Sequence, residues 1–134
     1  MPVVVTAAET PLGRLVVERL LADGAEVRAV VGSVTGDLGV PTSRTDWRDA
    51  ERLGAVLEGA HTVIHLAGER HVADLLAAAE DSGLRRIVVV ARGPVPGLEG
   101  APYDVVVVPD TRRRLSRAVD PGLVEALVAA DRRR

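Results

Sequence analysis

The chain contains no cysteine, no lysine and no phenylalanine, and of tryptophan and tyrosine it has one each, Trp47 and Tyr103. Without cysteine there are no disulfides, no thiolate nucleophiles and no cysteine-ligated metals. All 17 basic residues are therefore arginine, which excludes any mechanism that depends on a lysine amine. A formal net charge of −2 and two aromatic rings offer neither an electrostatic nor a stacking basis for holding nucleic acid. No apolar run is long enough to span a bilayer, and no basic segment with an apolar signal core precedes the first strand. The expectation is a cytoplasmic protein without membrane contact. At 134 residues the chain is read as one domain, 1–134, with no room for a second, substrate-binding domain.

Glycine is scarce at one telling place. Val3, Val4 and Val5 suit a buried parallel strand, and residues 11–23 carry Leu12, Leu15, Val16, Leu20 and Leu21 at helical spacing before Gly24. Thr10 can cap this helix and Pro11 suits its first position. Between strand and helix, a dinucleotide-binding turn has three glycines: one for the turn, one to let backbone approach the pyrophosphate, one for close helix packing. Aligned on Gly-x-x-Gly-x-x-Gly, the positions are Ala7, Thr10 and Gly13. The packing glycine is kept and the two phosphate-facing ones are replaced. A Cβ at Ala7 restricts φ, and the Thr10 side chain is expected to intrude on the phosphate position.

Further along, residues 26–31 read as a second strand, 40–45 as a weak third strand whose Pro41 suits only an edge, and 32–39 as loop. Residues 49–58 read as a helix with Leu53, Val56 and Leu57 on one face, ending at Gly59, followed by strand 62–66. A helix over 71–82 stopped by Gly83, strand 86–91, a Gly/Pro loop over 92–102, strand 103–108 and a helix from Asp120 through Ala130 complete the pattern. Apolar strands separated by helices predict an α/β fold: a doubly wound parallel sheet, Rossmann-like, in the order 3-2-1-4-5-6, with a single layer of helices on each face. The terminal Arg132, Arg133 and Arg134 suit the negative end of the last helix.

In order and spacing, residues 6–13, 26–31, Thr45-Asp46, Thr62-Val-Ile-His-Leu-Ala-Gly68 and 83–90 resemble the extended and atypical short-chain dehydrogenase/reductase superfamily, which includes nucleotide-sugar epimerases and NmrA-like proteins. The likeness is good over the first two thirds of the chain and looser beyond, as in a truncated member with a degenerate glycine motif. The resemblance implies an NAD or NADP cofactor. It would place pyrophosphate near Ala7, Glu9, Thr10, Leu12 and Gly13, adenine near Asp46 and Trp47, and the nicotinamide-side ribose near Leu66, Ala67 and Gly68. Each position also has a plain structural reading: Asp46 as a helix cap, His65 as a satisfied strand-end histidine, Ala67-Gly68 as a turn. The choice between NAD and NADP is open, since Gly32 and Ser33 follow the second strand and Arg28 lies within it.

The family's proton relay, a tyrosine followed four residues later by a lysine, has no counterpart. Tyr103 is followed by Val107, and no catalytic residue is assigned. His61, His65 and His71 are not spaced along one helical face, and no metal site is assigned. Glu9, Glu69 and Arg70 fall at strand carboxyl ends, where such sheets bind ligands, and Arg112, Arg113, Arg114 and Arg117 can grip an anion or stay solvated. A strand-end crevice with Ala7, Glu9, His65 and Gly68 also suits a small metabolite. Two readings result. In the first the chain is a non-catalytic pseudoenzyme acting as a homodimer or in a hetero-complex with a related protein. Losing the helix between strands five and six would bare part of one sheet face beside helix 71–82. In the second it is an atypical NAD(P)-dependent oxidoreductase or epimerase-like enzyme without the relay.

Overall fold

A computed structural model describes residues 2–33, 36–67, 71–80, 82–93, 95, 97, 98, 100–110 and 121–132. Its elements are β1 (Val3–Thr6), α1 (Pro11–Ala22), β2 (Val27–Val31), β3 (Thr42–Arg44), α2 (Ala50–Leu57), β4 (Thr62–His65), α3 (Val72–Ala79), β5 (Arg86–Ala91), β6 (Asp104–Pro109) and α4 (Pro121–Arg132). The six strands form one sheet in the order β3-β2-β1-β4-β5-β6, and every pairing is parallel. The doubly wound arrangement follows from the valine-rich strands, whose alternate side chains enter two separate cores. Val3, Val5, Ile64, Val88 and Val90 pack with α1 and α4 on one face. Val4, Val63, Ile87 and Val89 pack with α2 and α3 on the other.

Helix boundaries follow the local chemistry. Thr10 caps α1, with Pro11 at the first turn; Asp49 caps α2 by accepting the Arg52 N–H at 3.0 Å. Gly24 (φ 81°) and Gly59 (φ 76°) take the left-handed conformation just past these two helices. The third helix is shorter than its apolar spacing predicts. At Glu80 the backbone turns extended (φ −55°, ψ 133°), and the Ser82 hydroxyl donates to the Ala79 carbonyl at 2.6 Å, closing the helix there. The third strand is also shorter than 40–45. It begins after Pro41, whose carbonyl accepts the Ala29 N–H at 2.8 Å, and it lies at the sheet edge.

The connection over 92–103 runs from β5 to β6 with no helix among its described residues. It does not leave β5 bare. Val95 and Leu98 are 8% and 7% exposed and join the α2/α3 core, leaving Ile87, Val89 and Ala91 covered. The expected uncovered face shrinks to β6, where Val107 is 46% exposed and Val105 half-buried. No helix among the described residues is long and apolar enough to cross a membrane.

Candidate functional site

Parallel strands bring the segments that follow them to one edge of the sheet, and four of the residues expected at a ligand site meet there. Ala7, Glu9, Trp47 and Ala67 line one cavity of about 120 Å³, together with Val30, Val31, Gly32, Thr45 and His71. The remaining expected residues have other tasks. Thr10 turns its hydroxyl onto the turn itself: it donates to the Ala7 carbonyl at 2.7 Å and accepts the Gly13 N–H at 3.1 Å. Leu12 is buried in the α1/α4 core. Asp46 accepts the Arg48 N–H at 2.9 Å, stabilising the turn before α2. Leu66 packs on the α1/α4 core and donates its N–H to the Thr6 hydroxyl at 2.9 Å. Gly68, Glu69 and Arg70 lie outside the described residues, as do Asp120, Arg112, Arg113, Arg114, Arg117, Arg133 and Arg134.

The turn after β1 keeps the shape of a glycine turn without its first glycine. Ala7 has φ 50°, the one positive value at a non-glycine residue among those described. Gly13 serves the packing purpose: a Cβ there would stand 2.4 Å from the Ala7 carbonyl oxygen and 2.6 Å from the Ala8 Cα. What the turn offers an anion is reduced. Pro11 has no N–H, and the Gly13 N–H is already taken by Thr10. Glu9 brings a carboxylate into the cavity, where its Oε2 accepts the Gly32 N–H at 3.3 Å. That bond ties the β1 turn to the residue following β2, the position from which this fold holds a ribose. A negative charge beside a helix N-terminus also opposes the diphosphate that such turns bind. Among the described residues the turn therefore does not fit a diphosphate, and 120 Å³ is small against the roughly 300–1,000 Å³ of ordinary ligand pockets.

Trp47 forms one side of the cavity. Its ring stacks on His71 with centroids 4.7 Å apart and planes 5° apart, and meets His65 edge-on at 5.3 Å. His65 is fully buried with Nδ1 3.1 Å from the Thr6 hydroxyl, in keeping with a satisfied strand-end histidine. His61, by contrast, stands at the amino end of β4 against Thr62. Arg28 is turned away from the cavity and donates to the Val56 and Glu58 carbonyls at 2.9 and 2.7 Å. Tyr103 precedes β6, so it sits at the amino edge of the sheet, opposite the cavity. Sequence reasoning placed Gly32 at the ribose position after the second strand, but did not single out Thr45 or His71 for this site. Thr45 had a signal, since it directly follows β3 and so falls on the ligand-binding edge; the Trp47–His71 stack depends on three-dimensional packing.

No protein-family model matches this chain, and no curated protein does. Solved structures do. A UDP-glucose 4-epimerase from Thermus thermophilus, in complex with NAD, is 22% identical with a TM-score of 0.59 over 98% of this chain and 49% of that one. Uronate dehydrogenase from Agrobacterium tumefaciens is 28% identical with a TM-score of 0.58, over 66% and 40% of the two chains. A Rossmann-fold NAD(P)-binding family protein from Shigella flexneri has a TM-score of 0.64 at 12% identity, over 81% and 66%. The chain spans 46%, 36% and 38% of three further epimerase structures that it matches.

Proposed function

We propose that this chain, whose fold is that of the NAD(P)-binding Rossmann epimerases and reductases, is a non-catalytic member of that group acting through association with a second copy of itself or with a related chain. The observation that carries this reading is the Glu9 carboxylate on the N–H of Gly32, the residue that follows β2. The absence of lysine adds to it, since the superfamily's tyrosine–lysine relay has no counterpart. A second copy is the first expectation for the partner. The groove between α1 and α4 has an apolar floor of Leu15, Ala22 and Val124, beside a rim where Arg19 pairs with Asp23 and Glu125, so a two-fold pairing can bury the apolar floor.

The second reading is an NAD(P)-dependent oxidoreductase or epimerase-like enzyme without the relay, and Ala7 favours it by holding the backbone shape a glycine turn requires. Two measurements separate the readings. A thermal-shift titration with NAD, NADP and their reduced forms is expected to show no saturable stabilisation, because a ligand raises the melting temperature only by binding the folded state. A saturable shift with any one of them overturns the non-catalytic reading. Sedimentation velocity at tens of micromolar, a concentration suited to weak self-association, is expected to show a dimer. A compact monomer, with no related chain co-purifying, overturns association.

A further inference from the structure

We infer that the outer edge of β6 joins the same edge of a second copy, antiparallel about a two-fold axis, so that one sheet continues through both chains. This rests on the association reading and deepens it, naming a surface distinct from the groove between α1 and α4. β6 is the end strand of the sheet and pairs with β5 alone. Asp104 donates its N–H to the Arg85 carbonyl at 2.8 Å and Asp110 to that of Ala91 at 3.0 Å, with Arg86 opposite Asp104 and Ala91 opposite Pro109. Main-chain groups alternate in direction along a strand, so those of Asp104, Val106 and Val108 face β5 while those of Val105 and Val107 face outward. The outward groups have no main-chain partner among the described residues. The usual guards of an edge are weak here. No bulge interrupts the register, and Asp104 and Asp110 are paired with Arg86 and Arg92 at 2.9 and 3.9 Å. Val107, at 46%, is the most exposed of the large apolar residues described.

Register and charge select a second copy as the occupant. With the axis at Val106, Val105 of each copy stands opposite Val107 of the other, and each such pair exchanges N–H and C=O in both directions. Every outward N–H of the strand is then used, because the next outward residue is Pro109, which has none. Neighbouring registers are poorer. An axis at Val107 sets Asp104 against Asp110 of the second copy, a like-charge pair, and an axis at Val105 sets Val107 against Tyr103, which precedes the strand. An axis normal to the sheet keeps the α2/α3 faces of both copies on one side. The exposed Val107 side chain therefore meets the half-buried Val105 of the second copy, a cross-strand β-branched pair that occurs twice about the axis. An arbitrary extended peptide meets the same donors without these matched valines.

Sedimentation velocity and amide exchange by NMR, both on the full chain, test this. At tens of micromolar, a range suited to weak self-association, the parent is expected to be a dimer. Its Val105 and Val107 amides should exchange about tenfold more slowly than after dilution to the monomer, while those of Val106 and Val108 stay protected throughout. Val107→Pro removes an outward donor without touching the β5 ladder, and should weaken the dimer about tenfold or more. Leu15→Glu, in the groove between α1 and α4, should leave the dimer unchanged. A dimer that persists in Val107→Pro and is lost in Leu15→Glu overturns the inference and leaves association standing. So does a parent dimer whose Val105 and Val107 amides exchange as fast as in the monomer, and this measurement decides if Val107→Pro fails to fold or both variants lose the dimer. A monomeric parent overturns the inference and, unless a related chain co-purifies, the association reading with it.

Discussion

Ala7 and Gly13 show how a glycine motif divides into separable demands. At position 13 the demand is space: the nearest atoms to a new Cβ are main-chain atoms of Ala7 and Ala8, which cannot move aside as a side-chain tip can. Gly13→Ala is therefore expected to cost about 2–3 kcal/mol, read as a lowered urea midpoint at unchanged slope. At position 7 the demand is conformation. A left-handed alanine costs roughly 1–2 kcal/mol, and a glycine there returns about 0.4–1 kcal/mol through its freer unfolded chain. Ala7→Gly should thus be no less stable than the parent and about 0.5 kcal/mol more so in the same experiment; a loss of about 1 kcal/mol, as in a helix interior, would contradict this. Both demands were legible from spacing alone. The Thr10 cap of the Gly13 N–H was legible too, but its second bond, to the Ala7 carbonyl, was not, because helix-capping preference says nothing of the preceding turn.

Among the elements, those with punctuation at both ends were readable to within a residue. Helix α1 has Pro11 and Gly24, α2 has Asp49 and Gly59, and β5 is apolar throughout after its first residue, Arg86. Helix α3 lacks such a stop before Gly83, and its early end at Ala79 depends on the Ser82 hydroxyl, which apolar periodicity does not register. The arginines were equally opaque. Arg86 is 8% exposed; its Nε donates to Asp104 at 2.9 Å, and its Nη1 donates to the Ala130 and Asp131 carbonyls at 3.2 and 2.5 Å. It thus satisfies carbonyls at the C-terminal end of α4, where the helix dipole favours a cation. Arg86→Leu should cost about 2–3 kcal/mol in denaturant unfolding and speed hydrogen exchange in the last turn of α4. Asp104→Asn should cost under about 1 kcal/mol, since that carboxylate is 58% exposed and its pairing is screened. Equal losses in the two variants would mean that the ion pair, not the helix cap, is what Arg86 contributes.

For the molecule as a whole, strand order and the two-core arrangement followed from apolar runs and right-handed crossovers, and both are observed. The covering of β5 was not foreseen, because a Gly/Pro loop carries no periodicity to announce that Val95 and Leu98 point inward. Leu98 covers β5 where no helix is found among the described residues, so Leu98→Ala should destabilise by about 2–3 kcal/mol and raise binding of a hydrophobic dye by the folded protein. A loss below about 0.5 kcal/mol would show the loop to be dispensable. The two arginines that hold helix ends, Arg28 on α2 and Arg86 on α4, both lie at the edge where the strands begin. The cavity lies at the edge where they finish. Anchorage and recognition are thus separated by the height of the sheet. A change at the exposed side of the cavity, at Glu9 or His71, therefore falls a sheet's height away from the contacts that hold the ends of α2 and α4.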